Sequence, residues 1–149
     1  MSTISVQIQR TENGRDIQLP KYATSGAAGM DLCAAILENL TLQPGERALV
    51  PTGLRMSIPA GYEGQVRGRS GNAIKRGIGL VNAPGTIDSD YRGEISVILI
   101  NWGSEPQTIK RGERIAQLII SPIVRAELCE VADLGESSRG NGGFGHSGT

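Results

Sequence analysis

Arg139 and Phe144 are the only large side chains in the closing run Arg139-Gly140-Asn141-Gly142-Gly143-Phe144-Gly145-His146-Ser147-Gly148-Thr149 except His146. An arginine pairs with phosphate, a phenyl ring stacks on a base, and bare amides wrap anionic oxygens. The same composition also describes a terminus that never orders, since glycine backbones are costly to fix. Arg69-Ser70-Gly71 opens a short helical pattern. It reads equally as an anion site, with a hydroxyl and free amides at a helix start, and as a capped helix with a surface arginine. Asp88 follows Pro84-Gly85 on a turn. There a carboxylate either holds and activates a water or caps nearby amides. Asp90 shares a face with Asp88 only in a regular strand, so Asp90 is read as structural and no carboxylate pair is inferred. Gln117 interrupts Ile115, Ala116, Leu118 and Ile119 and therefore requires a polar partner. His146, the single histidine, reads as an exposed tail residue.

The elements that must hold these groups are strands. Ile4, Val6 and Ile8 alternate with polar residues at the period of a half-buried strand. Arg47 to Val50, Leu54 to Ile58 and Tyr62 to Arg67 come next, cut by Pro51-Thr52-Gly53 and Pro59-Ala60-Gly61. Ile78 to Val81, Glu94 to Trp102, Gln107 to Ile109, Arg114 to Ser121 and Val124 to Val131 complete the series. The one helix predicted is Ser70 to Arg76, with Ser70 as N-cap and Gly77 as its stop. Many short strands with Gly and Pro punctuation predict an all-β fold, a jelly-roll-like barrel or sandwich. After about Asp133 the composition turns to Gly, Ser and polar residues. The expected division is a β domain over 1–133 and a flexible C-terminal arm over 134–149.

The bulk numbers narrow the function classes. A chain of 149 residues is one domain by length. Formal net charge is zero, so neither nucleic acid nor an anionic membrane is drawn in at long range. One Trp, one Phe and three Tyr do not make a stacking platform for single strands. No nucleic-acid or membrane partner is expected. Cys33 and Cys129 lie far apart without metal spacing, and Met1-Ser2-Thr3-Ile4 is no secretory leader. They read as free thiols in a cytoplasmic protein.

Five stretches then line up in order. They are Ala27-Ala28-Gly29-Met30-Asp31-Leu32, Gly68-Arg69-Ser70-Gly71-Asn72-Ala73, Asn82 through Glu94, Arg111-Gly112-Glu113-Arg114-Ile115-Ala116-Gln117-Leu118, and the glycine-rich tail. In order and spacing they resemble the five motifs of the trimeric dUTPases. The resemblance implies a β jelly roll, a homotrimer with each site shared by three subunits, and Mg²⁺-dependent hydrolysis of dUTP to dUMP and pyrophosphate. Its consequence would be to limit uracil in DNA and to supply dUMP for thymidylate synthesis.

The resemblance also implies a role for each residue, according to the motif it sits in. Asp88 would orient the water that attacks the α-phosphorus. Tyr91 would lie against the deoxyribose where a 2′-hydroxyl would clash. Asn82, Gly85, Thr86, Ile87 and Ser96 would form a hairpin pocket reading the uracil edge largely through the main chain. Arg69, Ser70 and Gly71 would take the α- and β-phosphates, and Gln117 the α-phosphate. Arg139 would clamp the γ-phosphate, and Phe144 with Gly145 would close over uracil. Asp31 would sit at the edge of the site, as outer support for magnesium or for Arg69, with Mg²⁺ itself riding on the triphosphate. Gly68 and Asn72 depart from the family's usual proline and apolar residue around the phosphate turn. Two rivals remain. A dCTP deaminase shares the implied fold but needs a glutamate beside the pyrimidine, where this chain has Ile87-Asp88-Ser89-Asp90-Tyr91. A non-catalytic jelly-roll module would need neither Asp88 nor the tail.

Overall fold

The computed structural model describes residues 3–144. Eleven strands and one α-helix succeed each other along the chain. They are β1 (Gln7–Arg10), β2 (Met30–Cys33), β3 (Leu40–Leu42), β4 (Arg47–Pro51), β5 (Leu54–Ser57), β6 (Tyr62–Arg67), α1 (Ser70–Arg76), β7 (Ile78–Leu80), β8 (Gly85–Ile87), β9 (Ser96–Asn101), β10 (Gln107–Ile109) and β11 (Arg114–Pro122). The larger sheets run β2-β11-β6-β8 and β4-β9-β7, and β1-β5 and β10-β3 form separate two-stranded pairs. All named pairings are antiparallel. The sheets do not close into a barrel; the arrangement is a jelly-roll-like sandwich. No helix among the described residues is long and apolar enough to cross a membrane.

Alternation along the strands builds the core. Val97 and Leu99 of β9 point inward with Val50 of β4 and Leu80 of β7. They meet Leu32, Val66, Ile87 and Leu118 from the four-stranded sheet. This is the two-layer solution for sheets that are apolar on one face.

Among the described residues two polar side chains sit wholly inside, Thr52 and Asn101, and the second brackets a turn. Asn101 is 0% exposed. Its Nδ2 donates to the carbonyls of Leu42 at 3.0 Å and Glu105 at 2.8 Å, and its Oδ1 accepts the Gly103 N–H at 2.9 Å. The amide thus joins β9 to β3 and shapes the turn before β10. Replacing it by leucine strands three backbone groups. Asn101→Leu is expected to cost about 2–3 kcal/mol, read as a lower urea midpoint at unchanged slope. An unchanged midpoint would show that the bracket adds nothing.

The structure departs from the sequence expectations at four places. β2, β3 and β8 are strands that the residue pattern does not announce. Arg69, not Ser70, is the N-cap of α1, and its side chain makes no capping bond because a guanidinium only donates and cannot accept from the helix amides; it donates to Asp31 instead. Gly77 does end the helix, in the left-handed conformation at φ 66° that favours glycine. The first strand begins at Gln7 rather than Ile4 and pairs only with β5, so its residues stay exposed while Val6 packs on the core. Finally, Val124 to Val131 form no strand, because no neighbouring strand of this chain lies beside them. The last bond to the body is Ile123 N–H to Gly61 O at 2.9 Å. Beyond it Val124 and Leu128 are fully exposed.

Candidate functional site

The motif residues among those described gather mainly in two places, one at the β8–β9 hairpin and one where β2, β6 and β11 meet. The hairpin encloses an open cavity of about 460 Å³. Asn82, Thr86, Ile87, Asp88, Tyr91 and Ser96 line it, with Glu94 and the apolar Leu49 and Ile98. Gly85 stands at the head of β8, where a Cβ would come within 3.1 Å of the Asn82 amide. β8 is an edge strand: β6 pairs with one side of it, at Gly64↔Ile87, Gln65↔Thr86 and Val66↔Gly85, and its other side carries no ladder. That free edge offers backbone donors and acceptors to a ligand.

The loop after β8 is held by main-chain bonds. The Tyr91 N–H donates to Asp88 O at 3.1 Å, and Arg92 donates to the carbonyls of Ser89 and Tyr91 at 2.7 and 2.9 Å. The Tyr91 hydroxyl donates to Glu94 O at 3.0 Å. The base of the loop is fastened to the β4–β5 turn. The Gly53 N–H donates to the Glu94 carboxylate at 2.8 Å, the Ile95 N–H to Leu54 O at 2.8 Å, and the Thr52 hydroxyl to Ile95 O at 2.6 Å. Asp88 therefore shapes the turn through its carbonyl. Its exposed carboxylate has no hydrogen-bond partner among the described residues and borders the cavity. Asp90 is exposed and does not line it.

The second cluster is ionic. Gln117 on β11 lies between Asp31 on β2 and Arg67 on β6. Arg69 donates from Nε to Asp31 Oδ1 at 2.8 Å, and Arg114 reaches the other carboxylate oxygen at 3.3 Å. Gln117 Nε2 donates to Gly68 O at 2.8 Å. A Cβ on Gly29 would lie 2.7 Å from Gln117 Oε1, so the first motif leaves the space that Gln117 occupies. Asn72, 8% exposed, donates to Arg114 O at 3.1 Å and braces the start of α1 against β11. Ser70 and Gly71 are exposed, and the first intrahelical bond is Ala73 N–H to Arg69 O at 3.0 Å. The amides before it are free to meet an anion. Burial, and next the Asp31 carboxylate, push the Cys33 thiol up, which keeps it protonated beside this cluster.

The clusters are separate. None of Asp31, Arg69, Ser70, Gly71 and Gln117 lines the hairpin cavity. Arg139 bonds within its own turn, to Gly142 O at 2.7 Å, and the Phe144 ring is fully exposed. Gly145 and His146 lie outside the described residues. Arg114, Glu94 and Asn72 were not singled out as contributors from the sequence. Arg114 and Glu94 lie within the fourth and third motifs, which was the available signal.

The sequence model of the dUTPase family matches residues 15–148. The chain belongs to the dUTPase family. The deoxyuridine 5′-triphosphate nucleotidohydrolase of Anaeromyxobacter sp. (strain Fw109-5) is 60% identical over 146 residues, covering 97% of this chain and 98% of that one. The enzyme of the same name from Methylocella silvestris is 58% identical over 147 residues, 97% of this chain and 92% of its own. Among solved structures, a mutant dUTPase of Staphylococcus bacteriophage 80alpha with dUpNHpp superposes with a TM-score of 0.86. It is 29% identical and covers 99% of this chain and all of its own. A mutant dUTPase from phage phi11 of S. aureus, described for its coordination of a structural Mg(II) ion, gives 0.76 at 26% identity, over 88% of this chain and 99% of its own.

In this dUTPase-family chain the donors for a metal are sparse. Among the described residues no group of three or more His, Cys, Asp or Glu side chains is placed to hold one. Both oxygens of Asp31 face arginines. These residues fit an ion carried on a ligand's phosphate oxygens and do not fit a protein cage.

Proposed function

We propose that this chain hydrolyses dUTP to dUMP and pyrophosphate, by attack of water on the α-phosphorus, in a homotrimer whose sites are shared. The observation that carries this is the hairpin cavity, with an unengaged Asp88 carboxylate at its border and the Tyr91 ring beside it. The free edge of β8 would read the uracil. Cytosine presents exchanged donors and acceptors, and the unpaired groups this leaves are worth about 10⁴-fold or more in discrimination. Thymine is refused by its methyl group against the main chain near Gly85. Asn82, Thr86, Ile87 and Ser96 complete this pocket.

Charge argues for sharing. A triphosphate needs cations, yet the cavity is lined by the acids Asp88 and Glu94 and by no Lys or Arg. The cations stand in the other cluster, at Arg69 and Arg114. A neighbouring subunit would bring its Arg69, Ser70, Gly71 and Gln117 over the phosphates. Asp31 would hold Arg69 extended for that contact. The arm, residues 134–149, would reach across with Arg139 on the γ-phosphate and Phe144 and Gly145 over the base. The exposed apolar side chains of Val124, Leu128 and Leu134 suit a segment that lies on another subunit. Mg²⁺, carried on the triphosphate, would neutralise phosphate charge. Asp88 would hold the water in line and accept its proton. Two unpaired cysteines suit the reducing cytoplasm, where the reaction would keep uracil from DNA and supply dUMP.

The test is pyrophosphate release from dUTP, UTP, dTTP and dCTP, with and without Mg²⁺, run in ¹⁸O water. Strong preference for dUTP with the label in dUMP is the expected outcome. Label in the pyrophosphate would reject attack at the α-phosphorus, and ammonia from dCTP would reject the assignment.

A further inference from the structure

We propose that Gly93 is the positioning residue for the Tyr91 ring and thereby sets discrimination between deoxyribose and ribose, an inference that rests on dUTP as substrate and Tyr91 as its sugar gate. Tyr91 is 45% exposed, so burial does not fix its ring. Three contacts do. The backbone turn sets its Cα, the hydroxyl reaches Glu94 O at 3.0 Å, and the ring lies over the Cα of Gly93. An ideal Cβ at Gly93 would stand 2.5 Å from Tyr91 Cζ and 2.9 Å from Cε2 and would collide with the phenol oxygen. Gly93 is not among the glycines with left-handed backbone. The backbone there would therefore accept alanine, and the three atoms nearest to the missing methyl all belong to the Tyr91 side chain.

The floor under the ring cannot retreat. Glu94 and Ile95, next in the chain, are fastened to Gly53 and Leu54 through bonds of 2.8 Å each. A methyl group at position 93 is then relieved only by swinging the ring toward solvent, which gives up the bond to Glu94 O. Ring displacement is inexpensive for folding because the ring is already half exposed. It is costly for selection, because exclusion of one hydroxyl by contact depends on ring position to within a fraction of an ångström.

The experiment uses the full chain as wild type, Gly93→Ala, Tyr91→Ala and the double variant, with kcat/KM for dUTP and for UTP and the thermal midpoint. Gly93→Ala is expected to keep its midpoint while the dUTP/UTP ratio falls about tenfold or more. In the Tyr91→Ala background the same change should leave the ratio untouched, since no ring remains to displace. A wild-type ratio in Gly93→Ala beside a lowered ratio in Tyr91→Ala overturns the role of Gly93 alone. A wild-type ratio in Tyr91→Ala removes the sugar gate and this inference with it, while dUTP turnover persists. Failure of the wild type to turn over dUTP rejects the substrate assignment, and the inference falls with it. If Gly93→Ala does not fold, rescue by Tyr91→Ala supports the collision, and failure of rescue overturns it.

Discussion

Asp88→Asn is expected to lower turnover by about 10²–10⁴-fold while binding of a non-hydrolysable dUTP analogue stays within about threefold. The two side chains have the same shape, so the cavity keeps its form. The turn keeps its form too, because the Tyr91 N–H bonds the carbonyl of Asp88 and Arg92 bonds Ser89 and Tyr91. What changes is the chemistry of one oxygen. A carboxylate accepts hydrogen bonds from water at both oxygens and can take its proton; an amide presents an N–H₂ donor and takes no proton. The loss should therefore fall on kcat, with the thermal midpoint unmoved. Normal turnover would place the base elsewhere. Weakened analogue binding at normal kcat would recast Asp88 as a binding residue.

The strands that were legible are those whose apolar residues recur between Gly or Pro breaks. Tyr62–Arg67 and Gln107–Ile109 stand where the pattern puts them, and β11 and β9 differ only at their ends. β9 is shorter because Glu94 is drawn to the Gly53 amide and the Trp102 N–H to Gly77 O, both outside the ladder. β2 and β8 were hidden because their residues carry chemistry as well as pairing. Gly85-Thr86-Ile87 begins on a Pro-Gly step and reads as a turn, yet it completes the sheet beside β6. Val124 to Val131 fail in the opposite sense. Their composition is that of a strand, but a strand needs an edge to pair with, and past Ile123 the segment joins none of the sheet edges of this chain.

The site was legible as residue types and not as an assembly. The hairpin residues do converge, since six of them border one cavity. Of the residues expected at the phosphates, Arg69 bonds Asp31, which Arg114 grips from the other side, and Gln117 stands opposite it in the β2–β11 register. Spacing within a motif could not reveal that these are two places on one chain, because distance between motifs is set by the sheets. Nor could it reveal Asn72 as a brace, since a buried asparagine is recognised only by the carbonyl it meets. Ser70 was misplaced as the cap for a related reason. Arg69 takes the N-cap position with a side chain that only donates, so no capping residue type marks the helix start, and the guanidinium is used on Asp31 instead.

Removing residues 139–149 is expected to leave a folded body with kcat/KM for dUTP lowered by about 10²–10⁴-fold. Stability should not change, because the core residues end at Leu118 and the last bond tying the body to the C-terminal segment is at Ile123. Among the described residues the arm's contacts are local: Arg139 to Gly142 O, and the Gly140 N–H to Ser137 O at 3.0 Å. Activity should fall because two contacts vanish together. A charge-assisted bond from Arg139 to phosphate is worth about 1.5–3 kcal/mol, and stacking by Phe144 about 1–3 kcal/mol. Against these stands the entropy of ordering a glycine-rich segment. That cost makes closure conditional on a ligand that offers both a phosphate and a base. Arg139→Ala and Phe144→Ala divide the effect. Each should be smaller than the truncation because one anchor remains, and the two losses should sum to more than the truncation's because closure that has lost one anchor is weakened at the other. A truncated chain with full turnover would mean that the body alone binds and shields the phosphates, and the arm would then have no part in the reaction.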